Sequence, residues 1–212
     1  MSKGLFITLE GGEGCGKSTQ VKRLRAELEN RGYEVVLTRE PGGTMLSEEI
    51  RRLIKDQDED APCDRAELLL FLAARAQLVR NVIRPAIVAG KCVVSDRFSD
   101  STLAYQGYGR GLPLDFIAAA NNFACEDLRP DITFLLDVDP VVAAERMRSR
   151  EFQTNTAADR IERAGDLFHA RLREGFRALA AAEPERIVTI DANGSADEVW
   201  EKILNKLRKV ME

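Results

Sequence analysis

A glycine-rich octapeptide between a strand-like run and a helical pattern constrains this sequence more than any other feature. It matches the pattern GxxxxGK[ST] and reads Gly11-Gly12-Glu13-Gly14-Cys15-Gly16-Lys17-Ser18. The octapeptide directly follows the β-rich run Leu5–Glu10 and leads directly into a helical pattern that begins at Lys17. A strand, such a loop and a helix in this order predict a binding site for ATP or GTP. The alternative is a glycine-rich turn with an incidental lysine.

The residue types of this loop explain how it would hold a triphosphate. Glycines let successive backbone N–H groups turn inward around phosphate oxygens, and the following helix adds the partial positive charge of its N-terminus. Lys17 supplies a full positive charge, and the Ser18 hydroxyl can ligate Mg²⁺. We therefore expect ATP as the phosphoryl donor, Mg²⁺ as its counter-ion, and nucleotide contacts from Gly11, Gly12, Glu13, Gly14, Cys15, Gly16, Lys17, Ser18 and Thr19.

Glu13 is an unusual member of this loop. A carboxylate close to a triphosphate is electrostatically unfavourable, so we expect Glu13 to face away from the nucleotide. A hydroxyl group of a second substrate or a metal-bound water would satisfy it. The alternative is a solvated loop carboxylate.

Short β-rich runs alternate with helix-length segments along the whole chain. This alternation predicts an α/β P-loop NTPase fold of three layers, with a five-stranded parallel sheet covered by helices on both faces. The 212 residues suffice for one such core, and we expect a single domain over residues 1–212. The predicted strands are Leu5–Glu10, Glu34–Thr38, Cys92–Ser95, Ile132–Val138 and Ile187–Ile190, and the predicted helices include Lys17–Arg31, Asp64–Ala89 and Pro113–Cys125.

Charge and cysteine content argue against several kinds of partner. The chain has 31 basic and 35 acidic residues and a formal net charge of -4, so no global field attracts a nucleic acid or an anionic membrane surface. No stretch reaches the roughly 18 apolar residues of a membrane span. The four cysteines are far apart and there is one histidine, which indicates neither a disulfide framework nor a zinc site. We expect a cytoplasmic protein.

A second anion site is predicted at the end of the third strand. Asp96 and Arg97 would lie at the carboxyl edge of the sheet, beside the glycine loop. There Asp96 can hold Mg²⁺ or its waters, and Arg97 can bind a second phosphate through two hydrogen bonds. A kinase needs such a site opposite the γ-phosphate, whereas an NTPase needs a residue that positions water. The alternative is an ordinary surface salt bridge.

A polar, arginine-rich segment over residues 146–163 predicts a mobile loop between two helices, which would cover the site as a lid. Arg146, Arg148 and Arg150 would screen the donor and acceptor phosphates; the alternative is an ordinary solvated helix face. A nucleoside monophosphate is already largely a dianion at pH 7, because its second pKa is about 6, so its attack needs no general base. His169, in a predicted helix, is therefore expected to be structural.

Further strings, taken together with the glycine loop, resemble the bacterial thymidylate kinases over essentially the whole chain. They are Thr38–Thr44, Phe71–Arg75, Asp96–Phe98, Ala104–Gly107, Gly109–Gly111 and Asp159–Glu162. The resemblance implies a phosphotransferase that moves the γ-phosphoryl of ATP to dTMP, giving dTDP and ADP for dTTP synthesis. It also implies a homodimer.

The resemblance assigns roles to single residues. The ring of Phe71 would stack on thymine and Arg75 would hydrogen-bond the base, although core packing is the favoured interpretation of Phe71 without the family match. Tyr105 would disfavour a 2′-hydroxyl, and Glu13 would lie near the 3′-hydroxyl. The remaining implied contacts are Arg97 and Arg51 with the acceptor phosphate, Pro41, Ser101, Tyr105 and Gln106 around the dTMP pocket, and Ala192 in the loop that borders the adenine.

The lid departs from the family pattern. Residues 151–158 look like an insertion between Arg150 and the Asp159–Glu162 string. The glycine loop carries no arginine, so the lid must supply that charge, and we expect Arg150 to reach the transferring phosphoryl. The expected catalytic residues are Glu13, Lys17, Arg97 and Arg150.

Two other functions stay open on the sequence alone. A sister kinase for another nucleoside monophosphate or for deoxynucleosides would share the fold and donor chemistry; Phe71, Arg75 and the Tyr105–Gln106 pair argue against it. A P-loop ATPase or GTPase that acts as a switch would need no acceptor pocket and would turn over without added monophosphate.

Overall fold

Five parallel strands form one sheet at the centre of the protein. The computed structural model describes residues 4–55, 61–154, 160–161 and 163–211. The strand order is β2-β3-β1-β4-β5 and every pairing is parallel, which confirms the predicted fold class. Each strand boundary lies within one residue of its prediction; the strands are β1 Phe6–Glu10, β2 Val35–Arg39, β3 Cys92–Asp96, β4 Ile132–Asp137 and β5 Ile187–Asp191.

Helices cover both faces of this sheet, as expected for strands that are apolar on both sides. In the central strand β1, Ile7 and Leu9 pack into the core on the face of α1 and α9, whereas Phe6 packs on the opposite face. All five residues of β1 are buried. The helices are α1 Lys17–Asn30, α2 Met45–Lys55, α3 Asp64–Leu78, α4 Arg84–Val88, α5 Ser99–Thr102, α6 Leu114–Cys125, α7 Pro140–Thr154, α8 Asp166–Ala182 and α9 Ala196–Met211.

The predicted single helix Asp64–Ala89 is wrong in one detail. A π-helical stretch, Val79–Ile83, separates α3 from α4. Pro85 has no N–H to donate to the carbonyl of Asn81, and its ring would clash with that carbonyl in a regular α-helix; a wider turn relieves both problems. A second π-helical stretch, Leu103–Gly109, follows α5.

The predicted lid loop is also corrected, because residues 146–154 are helical and belong to α7. Pro140 suits the first turn of this helix, and the alanines, arginines and glutamates that follow are good helix formers. Arg146, Arg148 and Arg150 therefore lie on a helix. Residues 155–159 and 162 lie outside the described residues; they include the second half of the predicted insertion, and Asp159 and Glu162 of the final string.

No helix within the described part of the chain is both long and apolar enough to cross a membrane.

Candidate active site

A cavity of about 420 Å³ opens at the carboxyl edge of the sheet, where the glycine loop, the end of β3 and helices α2, α3 and α7 meet. Ligands of parallel α/β sheets bind at this edge. The structure brings most of the predicted residues to this cavity: Glu13, Gly14, Cys15, Gly16, Lys17, Ser18, Thr19, Pro41, Arg51, Phe71, Arg75, Asp96, Arg97, Ser101, Tyr105, Gln106 and Arg150.

The glycine loop wraps around the amino group of Lys17. The Nζ atom of Lys17 donates to the carbonyl oxygens of Gly11 and Gly12, both at 2.9 Å, and lies 3.4 Å from Cys15 Sγ. Gly14 has φ 71°, and a Cβ atom there would lie 2.5 Å from the carbonyl oxygen of Ala143 in α7. The loop thus requires glycine at this position, both for its conformation and for its close contact with α7.

Glu13 forms an ion pair with Arg97 at the far side of the loop. Arg97 Nη2 lies 2.5 Å from Glu13 Oε1, and Arg97 Nη1 donates to the Gly11 carbonyl at 2.9 Å. The Tyr105 hydroxyl lies 3.3 Å from the same Glu13 oxygen, and the Tyr105 ring lies 4.9 Å from the Arg97 guanidinium carbon. Burial raises the pKa of Glu13, but the charges of Arg97, Lys17 and Arg150 outweigh it and lower the pKa to about 2. Glu13 is therefore an ionised, paired carboxylate rather than a solvated one.

Sequence reasoning missed Glu10, which fixes the turn that carries Arg97. Arg97 has φ 74°, a left-handed conformation that a non-glycine residue seldom adopts. Glu10 Oε1 accepts from the Phe98 backbone N–H at 2.7 Å, and Oε2 accepts from the Ser101 hydroxyl at 2.6 Å. Burial, followed by repulsion from Asp100, raises the pKa of Glu10 to about 7. A carboxylate at the end of a wholly buried strand was the available sequence signal.

Arg75 is almost completely buried and bonded to protein groups. Its Nε and Nη2 atoms donate to the carboxylate of Glu40, and Nη2 also donates to the Phe98 carbonyl. Its Nη1 atom donates to Thr102 Oγ1 at 2.9 Å and to Asn121 Oδ1 at 2.6 Å. All five N–H donors of the guanidinium thus have protein acceptors. A hydrogen bond from Arg75 to a base requires one of them to be shared or exchanged, and that role stays a prediction.

Phe71 is half-buried, lines the cavity and packs against the cluster formed by Ile50 and Ile54 of α2 and Ala74 of α3. Core packing alone therefore does not account for it. On α2, Arg51 lines the cavity and donates from Nη1 to the Pro41 carbonyl at 3.0 Å. Sequence reasoning missed other lining residues, namely Arg39, Glu40, Lys55, Thr102, Met147 and Ile161.

The three arginines of α7 have different surroundings. Arg146 donates to the carbonyl of Ala192 at 2.9 Å and to that of Gly194 at 2.7 Å. Arg148 lines a second cavity. Arg146 and Arg150 both line the first, and of these two only Arg150 is among the charges that lower the pKa of Glu13. Of the three, Arg150 thus combines exposure to the first cavity with an electrostatic effect on Glu13; its role in phosphoryl transfer stays a prediction.

Three of the predicted nucleotide contacts do not line the first cavity. Gly11 and Gly12 line the second, a space of about 510 Å³ between α7 and α8 that His169 also borders. Ala192 is completely buried in the core and lines neither. Its carbonyl oxygen, however, accepts a hydrogen bond from Arg146 and so joins the loop after β5 to α7.

The residues predicted to bind Mg²⁺ fit that ion. The Ser18 hydroxyl and the Asp96 carboxylate are hard oxygen donors, and both residues line the first cavity. The described residues contain no cluster of three or more histidine, cysteine or acidic side chains that could hold a metal alone. One or two protein oxygens, completed by phosphate oxygens and waters, are the usual ligand set of Mg²⁺ in phosphoryl-transfer sites.

Comparison with known proteins gives consistent matches. The sequence profile of the family described as "Thymidylate kinase" matches residues 9–203. A thymidylate kinase of Pelobacter propionicus is 47% identical over 95% of this chain and 92% of its own length, and one of Geobacter sulfurreducens is 48% identical over 96% and 98%. The crystal structure of thymidylate kinase from Ehrlichia chaffeensis superposes with a TM-score of 0.75, at 36% identity, over 96% of this chain and 98% of that one.

Proposed function

This chain belongs to the thymidylate kinase family, and we infer from that membership that it is an ATP-dependent kinase that converts dTMP to dTDP. The observation that carries the inference for this chain is the shared cavity. Lys17 of the glycine loop lines it together with Phe71 and Arg97, which suit a base and a second phosphate. A switch NTPase would have no need of that second group of residues.

We propose that the cavity holds the triphosphate and the monophosphate on two sides of Glu13. The backbone N–H groups of the glycine loop, the N-terminus of α1 and Lys17 bind the donor phosphates. Arg97 and Arg51 bind the acceptor phosphate, and Ser101 and Gln106 complete the rim of its pocket. Phe71 stacks on the thymine.

Charge compensation supplies most of the proposed catalysis. The phosphate of dTMP attacks as a dianion without a general base, so the barrier comes mainly from bringing anions together. Lys17 and Arg150 stabilise the charge on the transferring phosphoryl, and Arg97 holds the acceptor phosphate in line. Ser18 and Asp96 would hold Mg²⁺, which would supply positive charge against the donor phosphates.

Glu13 has a double role in this proposal. Paired with Arg97, its carboxylate keeps the guanidinium at the border between donor and acceptor phosphates. The carboxylate of Glu13 can also accept a hydrogen bond from the 3′-hydroxyl of dTMP. The Tyr105 ring, which packs on Arg97, fills the space that a ribose 2′-hydroxyl would need. This arrangement favours a deoxyribose acceptor.

We further propose a cytoplasmic homodimer. Helices α3 and α6 pack against each other, and they expose the apolar side chains of Leu69, Phe116 and Phe123; Phe123 is 88% exposed. A second copy that covers this face would bury them. Sedimentation of Phe123→Ser should show loss of the dimer, whereas Phe152→Ser, which removes an equally exposed ring from α7, should leave it intact. A monomeric wild type would exclude the dimer.

An acceptor panel tests the function. ADP release from Mg-ATP is measured with dTMP, dUMP, dCMP, dGMP, AMP or no acceptor, for the wild type, Arg97→Ala and Arg129→Ala. We expect turnover that depends on dTMP, is lost in Arg97→Ala and persists in Arg129→Ala, because Arg129 makes an exposed pair with Glu183. Equal turnover without an acceptor would contradict the kinase proposal and favour a switch NTPase.

A further inference from the structure

One wall of the acceptor half of the cavity is a continuous segment of chain. Arg97, Ser101, Thr102, Tyr105 and Gln106 all line the cavity and belong to the stretch Arg97–Gln106, which contains α5. We propose that Asp100, held by Arg186, is a positioning residue that sets this wall, and with it Arg97, without touching a substrate. The inference rests on the proposed role of Arg97 as the ligand of the acceptor phosphate.

Asp100 and Arg186 form a two-pronged ion pair beneath the wall. Arg186 Nη1 lies 2.7 Å from Asp100 Oδ2, and Arg186 Nη2 lies 2.8 Å from Asp100 Oδ1. The Asp100 side chain is 4% exposed and that of Arg186 13%. Pairs of this geometry restrict both side chains strongly, because a planar guanidinium meets a carboxylate along two parallel bonds.

The sheet and α8 hold Arg186 in place. Its Nη1 atom also donates to Thr133 Oγ1 in β4 at 3.0 Å, and its Nε atom donates to Glu183 at 2.9 Å. Arg186 immediately precedes β5, and its own carbonyl accepts from the Thr133 backbone N–H at 2.8 Å. The partner of Asp100 is therefore part of the rigid framework, and Asp100 ties the short helix α5 to it.

The segment is fixed on its other side by Glu10. This carboxylate accepts from the backbone N–H of Phe98 and from the hydroxyl of Ser101, which flank Asp100 in the chain. Asp100 and Glu10 repel each other, so the charge of Arg186 is needed to hold two buried carboxylates beside one turn. Loss of the Asp100–Arg186 pair would remove the anchor that ties α5, just after the left-handed turn at Arg97, to β4 and β5.

Neither partner faces the substrate. Asp100 and Arg186 do not line the first cavity, whereas Ser101 and Thr102, the next residues after Asp100, do. Any effect of Asp100 on dTMP must therefore pass through the segment that it anchors. The glycine loop is not part of that segment, which predicts that binding of ATP is affected much less.

Steady-state kinetics with dTMP and with ATP as the varied substrate test the proposal in Asp100→Asn, Arg186→Lys and the control Arg25→Ala, which loses an exposed ion pair with Glu29 on α1. We expect Asp100→Asn, which keeps the side-chain volume, to raise the KM for dTMP by about tenfold, within the range that small misplacements of a positioning group produce. The KM for ATP should change less than about twofold, Arg186→Lys should show an intermediate effect, and Arg25→Ala should match the wild type. If Asp100→Asn does not fold, Thr133→Val is used in its place, because it removes only the hydroxyl that accepts from Arg186. It should raise the KM for dTMP by less than Asp100→Asn would and leave the KM for ATP unchanged.

A double-mutant comparison separates positioning from stability. Because Arg97→Ala is not expected to turn over, this comparison uses the dissociation constant for dTMP, measured by titration calorimetry in all variants. Most of the Asp100→Asn effect on that constant should disappear in an Arg97→Ala background, because the two changes act through one group. A lower melting temperature with an unchanged KM for dTMP, or equal rises in both KM values, would overturn the proposal. If Arg97→Ala itself left dTMP kinetics unchanged, the proposed role of Arg97 would fail first; a sensitive Arg97 with an insensitive Asp100 would refute the positioning role alone.

Discussion

The buried ion pair between Arg75 and Glu40 makes a sharp prediction about stability. The side chain of Arg75 is 1% exposed and that of Glu40 4%, and the carboxylate accepts from both Nε and Nη2. Glu40→Gln keeps the shape of the side chain and removes its charge, which leaves a buried guanidinium without a counter-ion. Breaking a buried pair in this way costs about 3–5 kcal/mol.

Urea denaturation, followed through the single tryptophan Trp200, measures this cost. At roughly 2–4 °C per kcal/mol for a domain of this size, the melting temperature should also fall by about 6–20 °C. The matched control is Glu49→Gln, whose pair with Arg52 has side chains 66% and 69% exposed and should cost less than about 1 kcal/mol. Equal destabilisation by the two variants would refute the argument that burial makes the Glu40–Arg75 pair important.

Three further substitutions, at Glu10, Gly14 and Asp137, have effects that follow from the structure. Because the pKa of Glu10 rises from 4.5 to about 7 on folding, the free energy of unfolding falls as the pH rises through this window. Urea titrations should show a loss on the order of 3 kcal/mol between pH 4.5 and pH 7.5 in the wild type and not in Glu10→Gln. An equal loss in the variant would contradict this assignment. Gly14→Ala forces a Cβ to 2.5 Å from the Ala143 carbonyl, so it should raise the KM for ATP and lower the melting temperature, whereas Gly32→Ala, with open space around its Cβ, should lower the melting temperature alone. Burial raises the pKa of Asp137, but hydrogen bonds from two arginines of α8 outweigh it and lower the pKa. The carboxylate therefore stabilises the fold above about pH 4, and this contribution is lost at lower pH. Asp137→Asn should show a shallower acid denaturation curve than the wild type.

The sheet and the glycine loop were predictable because their signals are local. Apolar, β-branched runs such as Cys92–Ser95 cannot be covered on both faces except inside a parallel sheet, and each was located to within one residue. The octapeptide with Lys17 specifies its own conformation through its glycines. Strand ends and loop chemistry therefore followed from sequence alone.

Features that depend on tertiary contacts were not predictable. The extension of α7 through residue 154 was missed, because polar residues at its end suggested a loop and their neighbours in space were unknown. The engagement of every Arg75 donor depends on Glu40, Thr102 and Asn121, which are distant in sequence. Glu10 was passed over for the same reason, since its partners lie about ninety residues away.

The fate of the γ-phosphoryl group distinguishes a kinase that phosphorylates dTMP from a P-loop NTPase that hydrolyses ATP. The enzyme is incubated with Mg²⁺, ATP labelled at the γ-phosphate and unlabelled dTMP, and the labelled products are separated and quantified against ADP. We expect label in dTDP in a one-to-one ratio with ADP, and little labelled inorganic phosphate with or without dTMP. Label that appears as inorganic phosphate at a rate independent of dTMP would contradict it.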